Sequence, residues 1–178
     1  MTDSKDPSSM AHREPPEALT PLQVRRILAP TDLSPHSEEA LRYAIRLALT
    51  LNAQLTVLHV SEVYVDPPSG EHALRMIEPY EVQGWRNQAK REFDAYLERF
   101  GPLPPNCEQC LRSATDPWRQ MLAVATEIAA DLLVIATHGR AGLAHLFHPN
   151  HADRILHEAP CPVLVVGPPH APAPTKPA

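Results

Sequence analysis

Two short segments carry residue types that can meet a small hydroxylated or anionic ligand. The first, Pro30-Thr31-Asp32-Leu33-Ser34, sets one carboxylate and two hydroxyls just before a helix start. The second, Thr137-His138-Gly139-Arg140-Ala141-Gly142, places two glycines around a guanidinium. Glycine lets the backbone close on a ligand, and arginine matches anions with a planar fork of donors. Asp32 also has a plainer reading, a carboxylate held by nearby backbone amides at the start of a helix. Both readings stand at the level of sequence.

Two further clusters look chemical and are read otherwise. His145, His148 and His151 recur every third residue, with His138 not far before them. Imidazoles bind Zn²⁺ or Ni²⁺ when a helix puts them on one side, but Pro149 interrupts such a helix, so a solvated polar loop is expected and no metal. Cys107 and Cys110 have the spacing of a redox or zinc pair, yet the only other cysteine is Cys161. Without a second pair, the expectation is two ordinary thiols on opposite faces of a strand. The chain has no Gly-x-Ser-x-Gly elbow, no phosphate-cradling loop ending in Lys-Ser or Lys-Thr, and no His-Glu-x-x-His helix, so no enzyme is expected.

The elements that must position these residues follow from periodicity. Val24 to Ala29 reads as a short buried strand stopped by Pro30. Ser34-Pro35 then gives a cap and a first helical position, with Glu38 and Glu39 at the positive helix end. Leu41, Ala44, Ile45, Ala48 and Leu51 form its apolar stripe, and Asn52 its stop. Gln54 to Val60 is a second strand. Glu81 to Phe100 has helical period through Trp85, Ala89, Phe93, Tyr96 and Leu97, an aromatic stripe expected to pack in the core. Cys107 to Arg112 is a third strand, and Asp116-Pro117 opens a helix lined by Trp118, Met121, Leu122, Ala125, Ile128 and Ala129. Asp131 to Ala136 is the clearest buried strand. A short helix from about His151 to Glu158 and the run Val163 to Val166 complete five strands and four helices. Apolar strands interleaved with amphipathic helices call for a parallel sheet covered on both faces, a three-layer α/β sandwich. Ligands then bind beyond the carboxyl ends of the strands, where the strand order reverses.

Composition bounds the setting. The chain has 178 residues, 43% of them hydrophobic, which suits one domain rather than two. Its formal charge of -5 lacks the basic surface that nucleic acid demands. No apolar stretch approaches the roughly 20 residues that span a bilayer, and Met1 to Ala18 is too polar for a signal peptide, so a cytoplasmic location is expected. Many of the 21 prolines lie at the ends. Flexible Pro-rich tails over 1–22 and 168–178 are therefore expected around one folded domain, 23–167.

Three runs together resemble the universal stress protein family: Ile27 to Ser34, Asp131 to Leu143, and Ala159-Pro160-Cys161-Pro162-Val163-Leu164-Val165-Val166. The resemblance implies the adenine-nucleotide alpha hydrolase-like fold, with a five-stranded sheet of order 3-2-1-4-5. It also implies dimers, often formed by pairing the last strand, here Val163, Leu164, Val165 and Val166. Some members bind ATP or AMP and others bind no nucleotide. Carried onto this chain, the nucleotide crevice between strands 1 and 4 would use Pro30, Thr31, Asp32, Ser34, Val60, Ala136, His138, Gly139, Arg140, Gly142, Asn150 and His151. Binding members carry a glycine, two residues, a glycine, nine residues, and a Gly-Ser or Gly-Thr pair after the fourth strand. Gly139 matches the second glycine, but Ala136 replaces the first and Pro149-Asn150 the final pair. Pro149 offers no amide hydrogen to a phosphate, whereas Asn150 can cap the following helix and donate from its side chain. Weak binding of AMP, ADP or ATP and a dimeric adapter without nucleotide both remain open, with slow ATP hydrolysis at most incidental. A nucleotidyl transferase is the third reading. Such enzymes carry a His-x-x-His or Ser-Gly-Gly-type loop after the first strand, where this chain has Pro30-Thr31-Asp32.

Overall fold

The computed structural model of the chain describes residues 23–62, 79–136 and 149–167, with 62, 79–82 and 149–153 as backbone only. In chain order the elements are β1 (Arg26–Thr31), α1 (Pro35–Leu51), β2 (Gln54–Glu62), α2 (Pro79–Glu98), β3 (Cys107–Ala114), α3 (Pro117–Glu127), β4 (Leu132–Ala136), α4 (Pro149–Glu158) and β5 (Val163–Val166). All strand pairs are parallel, in the order β3-β2-β1-β4-β5. This is the α/β architecture and strand order expected above.

Strand alternation sorts the core into two layers. Ile27, Ala29, Leu55, Val57 and Val134 face α1 and α2, where they meet Leu41, Ala44, Ala48, Phe93, Tyr96 and Leu97. Leu28, Leu58, Val60, Leu133 and Ile135 face the other way, onto Trp118, Met121, Val124 and Ala125 of α3 and Ile155 of α4. Both sheet faces are thus covered by apolar helix stripes, which explains why the strands lack a polar face. The chain winds from β1 outward to β3 over one face, then returns across the other to β4 and β5. That reversal puts the switch point between β1 and β4.

Several local expectations need correction. β1 does not stop at Pro30 but runs through it to Thr31, pairing with β2 as far as Thr31 opposite His59. Trp85 is 53% exposed and does not share the core stripe of α2, and α2 ends at Glu98 rather than Phe100. Leu51, at the last position of α1, is also exposed, whereas Asn52 stops that helix as expected, and the structure shows it doing so in the left-handed region at φ 51. Ala129 lies beyond the end of α3, exposed, with φ 46. Ser34 and Asp116 occupy N-cap positions, but neither side chain makes a capping bond. Finally, α4 begins at Pro149, so Asn150 is a helical residue rather than the cap.

The end of the sheet remote from the switch-point opening is tied by Asp131. Its Oδ2 accepts the Arg25 and Arg26 amides, each at 2.9 Å, and Oδ1 lies 3.7 Å from the Arg26 guanidinium. The Arg25 amide above all, then that of Arg26 and its guanidinium charge, hold the Asp131 carboxyl below its ordinary value. Cys107 and Cys110 do lie on opposite faces of β3, one packed against each core layer. Burial pushes the Cys107 thiol up to about 11 and raises those of Cys110 and Cys161 as well. Less thiolate at neutral pH lowers the nucleophilicity of all three.

Candidate functional site

The opening at the switch point has a backbone cause. The Gln54 amide donates to the Arg25 carbonyl and the Asp131 amide to the Arg26 carbonyl. Odd-numbered residues of β1 therefore turn their peptide groups to β2 and even-numbered ones to β4. Pro30 is even-numbered, so the amide hydrogen it lacks is one that would have pointed to β4. The ladder between β1 and β4 accordingly ends at Leu28 opposite Leu133, while the ladder with β2 continues to Thr31. Continued by three residues, the broken register would set Thr31 level with Ala136. The two strand ends instead flank a crevice.

The turn leaving β1 is built by its own side chains. Leu33 takes φ 63, a conformation uncommon for a side chain of its size, and its amide donates to Thr31 Oγ1 at 3.1 Å. The Ser34 amide and hydroxyl both donate to Asp32 Oδ1, at 3.0 and 2.6 Å. The amide-held reading of Asp32 is therefore correct for one oxygen. Below the turn, Ser37 Oγ lies 2.8 Å from Thr31 Oγ1 and 3.0 Å from the Tyr96 hydroxyl, and donates to the Ser34 carbonyl at 2.9 Å. A serine has one proton and two lone pairs. With its proton given to Ser34, Ser37 must accept from both Thr31 and Tyr96, which satisfies every hydroxyl in the buried network. Burial raises the Tyr96 phenol above its ordinary value, against the lowering effect of the Ser37 and Thr31 hydroxyls, so it stays a donor. Over this network Glu38 is paired with Arg42 at 3.6 Å and with Arg99, joining the start of α1 to the end of α2.

The described residues lining the crevice are Pro30, Thr31, Asp32, His36, Ser37, Leu58, Val60, Pro117, Met121, Ile135 and Ala136. They enclose about 470 Å³ of empty space, part of it open to solvent. The crevice floor is apolar: Leu58, Val60, Met121 and Ile135 are buried core side chains. Thr31 and Ser37 are committed to the Tyr96 network, which among the described residues leaves Asp32 and the exposed His36 as the polar side chains at the rim. An apolar slot beside a carboxylate can take a flat ring on the floor and hydroxyls at the carboxylate.

Of the residues singled out from sequence, Pro30, Thr31, Asp32, Val60 and Ala136 come together in this crevice. Ser34 is not a lining residue and acts on Asp32 instead. His138, Gly139, Arg140 and Gly142 lie outside the described residues, as do His145 and His148. Asn150 and His151 belong to the first turn of α4, where the backbone alone is described. Sequence reasoning missed His36, Ser37, Leu58, Pro117, Met121 and Ile135. The signal was present: His36 and Pro117 open helices that follow strand ends, Met121 is one turn after Pro117, and Leu58 shares a strand face with Val60. Among the described residues no group of His, Cys, Asp or Glu side chains is arranged to hold a metal ion. No helix among them is long and apolar enough to cross a membrane.

Comparison with known proteins agrees with this fold. Residues 23–167 match the profile of the Universal stress protein family. Universal stress protein A homolog 1 of Coxiella burnetii is 30% identical over 145 residues, covering 82% of this chain and 97% of that protein. Universal stress protein YxiE of Bacillus subtilis is 26% identical over 146 residues, covering 79% and 97% respectively. Among solved structures, Universal stress protein UspA from Lactobacillus plantarum superposes with a TM-score of 0.61 at 23% identity, over 81% of this chain and 98% of its own.

Proposed function

Because the chain belongs to the universal stress protein family, we propose that it is a dimeric stress-response protein whose crevice between β1 and β4 binds an adenine nucleotide weakly. The observation that carries this reading is the crevice itself. Its apolar floor suits adenine, and Asp32, with Oδ1 fixed by Ser34, offers its other oxygen to ribose hydroxyls. Thr31 and Ala136 supply its walls, Val60 belongs to its floor, and His138, Gly139, Arg140, Gly142, Asn150 and His151 are assigned to the phosphate side. Catalysis is not part of the proposal, and the cytoplasm is its setting. One domain, 23–167, carries the function, with the Pro-rich ends as extensions.

Calorimetry with ATP, ADP and AMP, on protein shown by mass spectrometry to be free of carried-over ligand, tests the reading. Saturable binding of at least one nucleotide is expected, and none at millimolar concentration would reject it. Restoring Gly-Ser at positions 149 and 150 is expected to strengthen ATP binding. The absence of nucleotide, leaving a dimeric adapter, is the second reading. It is favoured by Pro149, which stands at the first position of α4 and gives its N-terminus no amide hydrogen there. For the dimer, the support is β5, the last strand of the sheet, on which Val165 is 40% exposed. Light scattering should give a dimer for the unaltered chain and a monomer for Val165→Pro. A monomeric unaltered chain refutes it.

A further inference from the structure

We propose that Arg119 and Arg154 form a phosphoryl-anion site at the junction of α3 and α4. Trp118, the second residue of α3, is buried to 4% exposure. The Arg119 Cζ lies 5.0 Å from its ring centroid, and Arg154 of α4 brings its Cζ to 5.3 Å from the same point. Two cations are thus gathered on one indole by residues of two different helices. Both arginines are exposed, and neither enters an ion pair among the described residues. Arg26, Arg42, Arg99 and Arg112, by contrast, each have a carboxylate within reach.

A guanidinium over an aromatic face is held through its π surface, while its five N–H donors lie in its own plane. The indole therefore holds both forks without consuming their donors; with Cζ atoms 5.0 and 5.3 Å from one centroid the guanidiniums lie within roughly 10 Å of each other, and an anion that reaches both is favoured. A dianionic phosphoryl group can accept from both forks at once, which a single carboxylate does less completely. The place is also suited to it. Pro117 and Met121, on either side of Trp118 in sequence, line the crevice, and the positive end of α3 begins at Pro117. A phosphoryl group here comes either from a nucleotide seated in the crevice, which rests on the reading proposed above, or from a separate phosphate compound.

The chain has two tryptophans, so Trp85→Phe, at an exposed position, leaves Trp118 as the only indole reporter. Its emission is followed at low salt during titration with pyrophosphate, ADP and adenosine, in this background and with Arg119→Gln/Arg154→Gln added. Circular dichroism confirms that the added substitutions leave the fold intact. Pyrophosphate and ADP should both give a saturable change, with apparent affinity falling at least about tenfold in the double variant, as expected for lost charged hydrogen bonds. ADP binding at least tenfold tighter than pyrophosphate, with adenosine competing, assigns the anion to a crevice nucleotide. Equal affinities without competition assign it to a separate phosphate compound, and the site then stands even if the crevice takes no adenosine. No saturable response to pyrophosphate or ADP, or affinities unchanged by the double substitution, overturns the proposal.

Discussion

Ser37 is the hub of the hydroxyl network under the crevice, and its proton count makes a quantitative prediction. It accepts from Thr31 and Tyr96 and donates to the Ser34 carbonyl, all within 3.0 Å. Tyr96→Phe removes one donor and leaves Ser37 with its other two bonds, so the cost is that of one net hydrogen bond, about 0.5–1.5 kcal/mol. Ser37→Ala removes only one oxygen yet strands two hydroxyl donors, while the Ser34 carbonyl keeps the residue 37 amide at 3.2 Å. Thr31 and Ser37 are 3% and 6% exposed, so water does not readily replace the lost partner. Each stranded buried group costs roughly 1–3 kcal/mol, and some relaxation of the Tyr96 hydroxyl toward Thr31 is expected, which gives about 2–4 kcal/mol in total. Urea unfolding at pH 7, followed by circular dichroism, measures both variants. A Ser37→Ala cost under about 1 kcal/mol, or one no larger than that of Tyr96→Phe, would refute the proton assignment.

Other outcomes follow from the same structure. Phe93→Ala should cost about 3–5 kcal/mol, as an aromatic lost from a packed core does, and Trp85→Ala under about 0.5 kcal/mol; equal urea midpoints for the two would contradict the burial of α2. Asp131 is held below its ordinary value, so its contribution is complete above the unfolded carboxyl near pH 3.9 and lost as pH falls through the lowered folded value. Asp131→Asn should therefore be less stable than the unaltered chain at pH 6, with the gap closing below about pH 4; a gap that widens in acid would show the opposite sign. Cys107, raised to about 11, should be alkylated by iodoacetamide at pH 7.5 at least roughly a hundredfold more slowly than a free thiol. Rapid labelling seen by mass spectrometry would contradict its burial.

How much of this was legible in the sequence depended on whether the signal was local. Continuous apolar strands between helical stripes gave the covered parallel sheet, and family resemblance supplied the strand order. The helix stop at Asn52 and the opposite-face placement of Cys107 and Cys110 rest on local backbone geometry, and both are as expected. Trp85 was misplaced because helical spacing defines a stripe but not where along its length the sheet ends. Ser34 was misjudged because its hydroxyl had two nearby acceptors to choose from, and the Asp32 carboxylate was preferred over the helix end. Pro30 reads as a strand stop in isolation. Which neighbour its missing amide would have faced depends on register, and that register is what opens the crevice. His36 and Met121 were absent from the expected site for a related reason: α1 and α3 lie on opposite sheet faces, and only the folded chain brings them to one rim.

The most direct test of the crevice is an amide-resolved NMR titration of the ligand-free protein with AMP. The account predicts saturable shifts concentrated on Thr31, Asp32, Val60, Ile135 and Ala136, with Cys107 to Ala114 of the β3 edge unmoved. Saturable binding that leaves those five amides unchanged while shifting another surface would contradict it.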